Sequence, residues 1–232
     1  MGSCETCLVR NRAICSALEA PEINALNAIG RHRTLAPGEA LIWEGDDSVL
    51  VANVIDGVLK LSTGTEDGRE QIVGMVFASD FIGRPFGMTT GHGVTALTEA
   101  KVCVFNRRDF DAFAREHPAL EHKLLQRTLT ELDRTRRWML LLGRKSASEK
   151  VASFLLEMIE RVATPGCEAI AVPGEVRLDL PVSRQQIADV LGLTIETVSR
   201  QFTRLKSDGV IDLPSRREVI IRDRAALQAE AG

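Results

Sequence analysis

The chain has 232 residues, enough for two modest domains with their own cores. Its 44% hydrophobic and 26% charged residues are those of an ordinary folded protein, and no apolar run approaches the length of a membrane span. A net charge of −3 does not by itself point to nucleic acid, so any surface of that kind has to be local.

The first 16 residues carry Cys4, Cys7 and Cys15 with little apolar periodicity. Polar residues stand where a secretion signal would carry an apolar stretch, so the chain is expected to stay in the cytoplasm, with no membrane partner. In such a chain, clustered cysteines point to a metal or redox site before a disulfide framework. Cys4-x2-Cys7 puts two sulfurs within reach of one centre, and Cys15 follows after seven intervening residues. A fourth ligand could come from Cys103, on an expected strand, or from Cys167, in an expected loop. Four thiolates suit zinc and an iron–sulfur cluster alike, and spacing does not separate them. The bland readings are unliganded N-terminal thiols, a buried apolar Cys103 and an incidental loop thiol at Cys167. Arg10 and Arg12, between the ligands, could offset thiolate charge or simply be solvated.

Pro21 to Ile29 reads as a short helix, with proline in its first turn and Ile23, Leu26 and Ile29 able to pack inward. From about Thr34 to Asn106, short β-prone runs alternate with glycine turns. The runs are Leu41 to Trp43, Leu50 to Ile55, Val58 to Leu61, Gln71 to Phe77, Thr95 to Leu97 and Val102 to Phe105. Glu66-Asp67-Gly68 is a hairpin signal, and the series suggests an antiparallel roll or barrel.

Helical texture begins after Asn106, breaks at His117-Pro118 and resumes as a long helix from Ala119 to Leu142, which Gly143 is expected to end. Leu125, Thr128, Leu132, Thr135, Met139 and Leu142 recur on it at spacings of three and four. That stripe could meet a partner helix or be buried within its own chain. His117 and His122 read as solvated residues around the break. Ala147 to Val162 is a further amphipathic helix, and Thr164-Pro165-Gly166 and Val172-Pro173-Gly174 are turn signals.

Ser183 and Gln186 form a capping box that opens a helix through Leu191. Gly192 suits a sharp turn, and Thr194 can cap a second helix that stops at Gly209. Ile195, Val198, Phe202 and Leu205 make its buried stripe, while Glu196, Ser199, Arg200 and Thr203 share the opposite face. This division suits a helix that enters the DNA major groove: arginine can pair with guanine, a carboxylate can accept from cytosine, and serine can do either. Val210-Ile211 and Glu218 to Ile221 read as two strands of a wing in a β-prone tail, with Arg216 and Arg217 near their turn. No Ser/His/Asp arrangement, Gly-rich phosphate loop or paired-carboxylate signature marks an enzyme.

Together these segments resemble the CRP/FNR family of bacterial regulators and, within it, the oxygen-responsive FNR branch. The resemblance is carried by Cys4-x2-Cys7-x7-Cys15, Gly38 to Asp46, Asp67 to Gly74, Phe81-Ile82-Gly83 and Leu191 to Arg200. It implies an α+β chain: a cyclic-nucleotide-binding-type β-roll, a long dimerisation helix and a C-terminal winged helix-turn-helix. The corresponding division is a cysteine-rich segment (1–16), a sensor roll (17–106), a dimerisation region (107–143) and a DNA-binding domain (144–232). The resemblance further implies an oxygen-labile [4Fe-4S] cluster on Cys4, Cys7, Cys15 and Cys103, with Cys167 outside the pattern. DNA reading falls to Glu196, Ser199 and Arg200, in a homodimer on a near-palindromic operator, with RNA polymerase as a further partner. Structural zinc or a thiol redox switch is the alternative use of the cysteines.

Two departures stand out. The gap between the second and third cysteines is longer than in the enteric pattern and resembles the FnrL-type variant. Arg84 follows Gly83, and Gly93-Val94-Thr95 stands where nucleotide-binding relatives carry a phosphate-binding arginine, so a cyclic-nucleotide ligand is not expected.

Overall fold

The computed structural model describes residues 4–64, 66, 68, 70–87, 89–162 and 175–232. The turn signals at 164–166 and 172–174, the hairpin-tip residue Asp67 and Cys167 lie outside them. The chain divides into two compact units, Met1–Asp133 and Arg134–Gly232.

The first unit is the expected roll. Its strands are β1 (Gly30–Leu35), β2 (Ala40–Ile42), β3 (Leu50–Asp56), β4 (Leu59–Gly64), β5 (Glu70–Val76), β6 (Phe81–Ile82), β7 (Gly93–Ala96) and β8 (Ala100–Asn106). They form two four-stranded sheets, ordered β1-β8-β3-β6 and β2-β7-β4-β5, with every pairing antiparallel. β4 and β5 are the hairpin that Glu66-Asp67-Gly68 signals.

At β3 and β8 the first of these sheets is buried on both faces, which is why those two strands read as apolar runs without clean alternation, whereas β1 at its edge is largely exposed. Successive side chains on a strand point to opposite faces. Ala52, Val54, Ala100 and Val102 line the inside of the roll with Leu35, Leu59 and Val94. Val51, Cys103 and Phe105 point outward into a second core with Ile14, Leu26, Phe110 and Leu120. Three helices supply that second core: α1 (Ala20–Ile29), α2 (Arg107–Glu116) and the start of α3 (Pro118–Arg144).

The helix boundaries follow local chemistry. Glu22 accepts from the Glu19 N–H at 2.8 Å to open α1, and Asn106 accepts from the Arg108 N–H at 2.9 Å to open α2. His117 stands at the break between α2 and α3. It is not a solvated residue: its ring stacks on Phe113 at 3.9 Å, and its Nδ1 lies 2.6 Å from the Phe113 carbonyl. His122 is exposed, as expected.

α3 runs through Gly143 to Arg144, so that glycine does not end the helix. The break comes at Ser146, where the main-chain N–H finds Glu149 Oε2 at 2.7 Å and starts α4 (Ala147–Val162). A cap satisfies orphan helix groups; a single glycine costs only about 1 kcal/mol and does not force a stop.

The second unit packs α4 with α5 (Arg184–Leu191), α6 (Ile195–Ser207) and α7 (Arg224–Ala231) beside a sheet ordered β10-β11-β9. These strands are β9 (Val176–Asp179), β10 (Ile211–Asp212) and β11 (Glu218–Ile221). α7 replaces the end of the expected β-prone tail: Asp223 accepts from the Ala226 N–H at 2.8 Å and caps an alanine-rich turn. Among the described residues, no helix is long and apolar enough to cross a membrane.

Candidate cluster site and nucleic-acid interface

The cysteine segment is folded onto the roll. Single-turn helices at Cys4–Thr6 and Ile14–Ala17 flank a run of turns, in which the Arg10 N–H meets the Cys7 carbonyl at 3.2 Å and the Ala13 N–H meets the Val9 carbonyl at 2.8 Å. Val9, Ala13, Ile14 and Leu18 are buried and anchor it. Ile14 and Leu18 share the outer core with Cys103, and Cys4 and Cys15 pack against the same cluster. Cys4, Cys7, Cys15 and Cys103 are all free thiols.

Each of the buried sulfurs also feels its neighbours electrostatically. Burial pushes the Cys103 thiol up to about 12, and negative charge on Cys4, Cys15 and Cys7 pushes the same way. Burial also raises Cys15 to about 12, with Cys4 and Cys7 adding to it and Arg10 opposing. Cys4 is raised by burial and by Cys7, and Arg10 again opposes. Arg10 thus does offset thiolate charge. Among the described residues, no three His, Cys, Asp or Glu side chains close tightly enough to hold a metal ion as they stand. The sulfurs are gathered without being drawn to one point.

The surroundings fit a bound inorganic group. His32 on β1 and Asn53 on β3 both stand directly opposite Cys103 in the ladder, so the three share the outer face. Gly30 leaves room beside them: a Cβ there would lie 3.3 Å from Cys103 Sγ and 2.8 Å from the Phe105 ring. Cys4 Sγ donates to Asn27 Oδ1 at 3.1 Å. Asn53 Nδ2 donates to Cys15 Sγ at 3.7 Å. Beside Cys7, a cleft of about 270 Å³ opens between Leu8, His32 and Lys101. Four thiols form a soft donor set suited to zinc or iron–sulfur chemistry.

The nucleic-acid interface is built in the second unit. Ser183 Oγ accepts from the Gln186 N–H at 3.2 Å, and Gln186 Oε1 accepts from the Ser183 N–H at 2.8 Å, closing the capping box. Gly192 takes a left-handed φ of 60° at the turn, where a side chain would be strained. Thr194 Oγ1 accepts from the Thr197 N–H at 3.2 Å and starts α6. Val198, Phe202 and Leu205 are buried, as is Ala188 where the helices meet. Ile195 was expected in that stripe but is 37% exposed, because it occupies the first helical position, beyond the reach of α5.

Glu196, Ser199, Arg200 and Thr203 are all exposed on the far side of α6. The Glu196 N–H and the Thr194 hydroxyl hold the Glu196 carboxyl below its usual range, so it stays an acceptor. Arg184 is oriented differently: its guanidinium lies 3.3 Å from the Phe202 ring centroid, and burial lowers it to about 10. It packs against the fold, whereas Arg200 is free to face outward. β10 and β11 pair as the expected wing, Ile211 opposite Ile221, with Arg216 and Arg217 exposed in the turn between them and β9 on the other side of β11.

Sequence comparison agrees with both units. Residues 32–117 match the cyclic nucleotide-binding domain, and residues 149–230 match the Crp-like helix-turn-helix domain. The transcriptional activator protein FnrL of Cereibacter sphaeroides is 44% identical over 229 residues, covering 99% of this chain and 92% of that protein. The chain belongs to the CRP/FNR family, in its FNR branch. The nitrogen fixation regulation protein FixK of Bradyrhizobium diazoefficiens is 40% identical over 208 residues, covering 90% of this chain and 85% of that protein. The structure of FixK2 from Bradyrhizobium japonicum superposes with a TM-score of 0.79 at 31% identity, covering 88% of this chain and 98% of that one. The family assignment accounts for the roll, the long helix and the winged helix-turn-helix as one DNA-binding regulator.

Asn53 and Gly30 escape a reading by motif. The signal for Asn53 is an amide inside the apolar run Leu50 to Ile55.

Proposed function

We propose that this CRP/FNR-family chain is a cytoplasmic, oxygen-responsive transcription regulator, and not an enzyme. It binds a near-palindromic operator as a homodimer when a [4Fe-4S] cluster is held by Cys4, Cys7, Cys15 and Cys103. RNA polymerase is its downstream partner. The observation that carries the reading is that Cys4, Cys15 and Cys103, from an N-terminal segment and a distant strand, meet in one core with the start of the long helix, with Cys7 one turn from Cys4.

When bound, the cluster supplies an oxygen-reactive centre and takes up the charge of four thiolates. The chain's own residues do the rest. The cysteine segment reaches α3 in two ways. Leu120 is buried in the outer core with Ile14 and Cys103, and Leu124 packs against it. One turn further on, Arg127 Nη2 donates to the main-chain carbonyl of Arg12, between the second and third cysteines. The opposite face of α3 carries the expected stripe, with Leu125, Thr128, Leu132, Thr135, Met139 and Leu142 all exposed, and Leu129 and Leu140, which the spacing does not include, widen it. A soluble protein rarely leaves so continuous an apolar stripe open, and a second copy of α3 is the partner that fits it. Pairing there sets two recognition helices about one DNA turn apart.

A thiol switch fits less well at Cys103, because a reactive thiol must be accessible and Cys103 is buried. Structural zinc uses the same ligands and is separated by assay. Protein purified without air should be brown and contain iron and sulfide. Sizing should show a dimer before exposure to air and a monomer after it. Colourless protein with one zinc per chain, dimeric in both conditions, would refute the cluster reading.

A further inference from the structure

Asn53 is only 2% exposed, in a layer that is otherwise apolar. It stands opposite Cys103 across the β3–β8 ladder, and its Nδ2 donates to Cys15 Sγ at 3.7 Å. Its Oδ1 is buried and has no hydrogen-bond partner. An amide half-satisfied in a core costs free energy that a leucine or valine would not, so packing alone does not account for it. The same side chain therefore lies between the strand ligand and the third ligand of the N-terminal segment.

We infer that Asn53 is the positioning residue for the Cys15 sulfur: with the cluster bound, its amide N–H donates to the ligating thiolate and slows oxidation of the centre. The inference rests on the cluster reading above. A hydrogen bond to a ligand sulfur draws electron density from it and favours the reduced form, raising the reduction potential. It also ties the Cys15 sulfur to the strand that pairs with the Cys103 strand.

The test uses full-length wild type, Asn53→Leu and Asn53→Ser, each reconstituted without air from iron and sulfide. Leucine keeps the γ-branched shape and removes the donor; serine keeps a shorter donor. Iron per chain, midpoint potential, thermal midpoint and loss of visible absorbance in air are measured. Iron per chain is expected to be unchanged. Asn53→Leu should bleach roughly tenfold faster, the scale of effect for outer-shell partners of metal sites. Its potential should shift to more negative values, with Asn53→Ser in between. Variants that bleach at the wild-type rate and keep the wild-type potential overturn the inference, even where the thermal midpoint moves. If the leucine variant does not fold, the serine variant decides by the same two readouts. Wild type that takes up no iron and sulfide overturns the cluster reading and this role with it; a loaded wild type beside indifferent variants overturns only the role of Asn53.

Discussion

Arg127 on the long helix donates a hydrogen bond to the main-chain carbonyl of Arg12, 115 residues earlier. Arg12 lies in the turn between Cys7 and Cys15, so this contact ties the cysteine segment to the helix that presents the exposed apolar stripe. A charged hydrogen bond of this kind is worth about 1.5–3 kcal/mol when partly buried.

Removing that tie should uncouple the two events. Arg127→Ala is expected to load iron normally, while operator affinity of the loaded protein falls about tenfold, toward that of the iron-free form. Anaerobic binding titrations of both forms check it. An unchanged ratio between loaded and iron-free affinity would count against Arg127 as the link.

The stripe on α3 makes a second, independent prediction. Leu129 is 52% exposed and Leu132 42% exposed, so a glutamate at either position should leave the isolated fold intact. In a dimer seam, the same change buries a charge and should cost roughly 2 kcal/mol or more of association. Sedimentation should therefore find monomer at concentrations where the loaded wild type is dimeric, with the thermal midpoint of the iron-free monomer unchanged. A Leu132→Glu chain that still dimerises would place the seam elsewhere.

Base reading is assigned to the exposed face of α6. Arg200→Ala should weaken operator binding by roughly 1–3 kcal/mol and relax preference at one base position in each half-site. Arg184→Ala should behave differently, because its guanidinium packs on Phe202. Its effect should appear in thermal stability, with base preference preserved. Titrations against a panel of singly substituted operators separate the two.

Gly30 offers a test of the space beside Cys103. A methyl group there would lie 2.8 Å from the Phe105 ring and 3.3 Å from the sulfur. Gly30→Ala is expected to destabilise the roll by about 1–3 kcal/mol, the usual cost of overpacking, and to reduce iron uptake. Calorimetry and iron assay read the two effects. Wild-type stability together with wild-type iron content would show that the neighbours yield freely.

Much of this was legible in the sequence because it is local. The capping box at Ser183 and Gln186, the glycine turn and the period of the α6 stripe are satisfied within a few residues, and the structure reproduces them. The errors divide between competing local interactions and tertiary cover. Gly143 did not stop its helix because the cap lies at Ser146 and Glu149. Ile195 fell out of the buried stripe because that face is not yet covered at the first turn. His117 was pulled out of solvent by Phe113. α7 was missed because Asp223 caps a short segment whose packing is decided by its neighbours.

The order of residues alone determined the spacing of three cysteines and the polar face of α6, since each needs only a turn or two of backbone. Whether Cys103 meets those cysteines was beyond it. That depends on which face of a doubly buried sheet the sulfur occupies, and only strand pairing decides this, because successive side chains point to opposite sides. The same pairing placed Asn53 and His32 opposite Cys103. The apolar stripe of α3 was visible as a pattern, but its exposure was settled only when the other side of the helix had been filled by Leu120 and tied by Arg127.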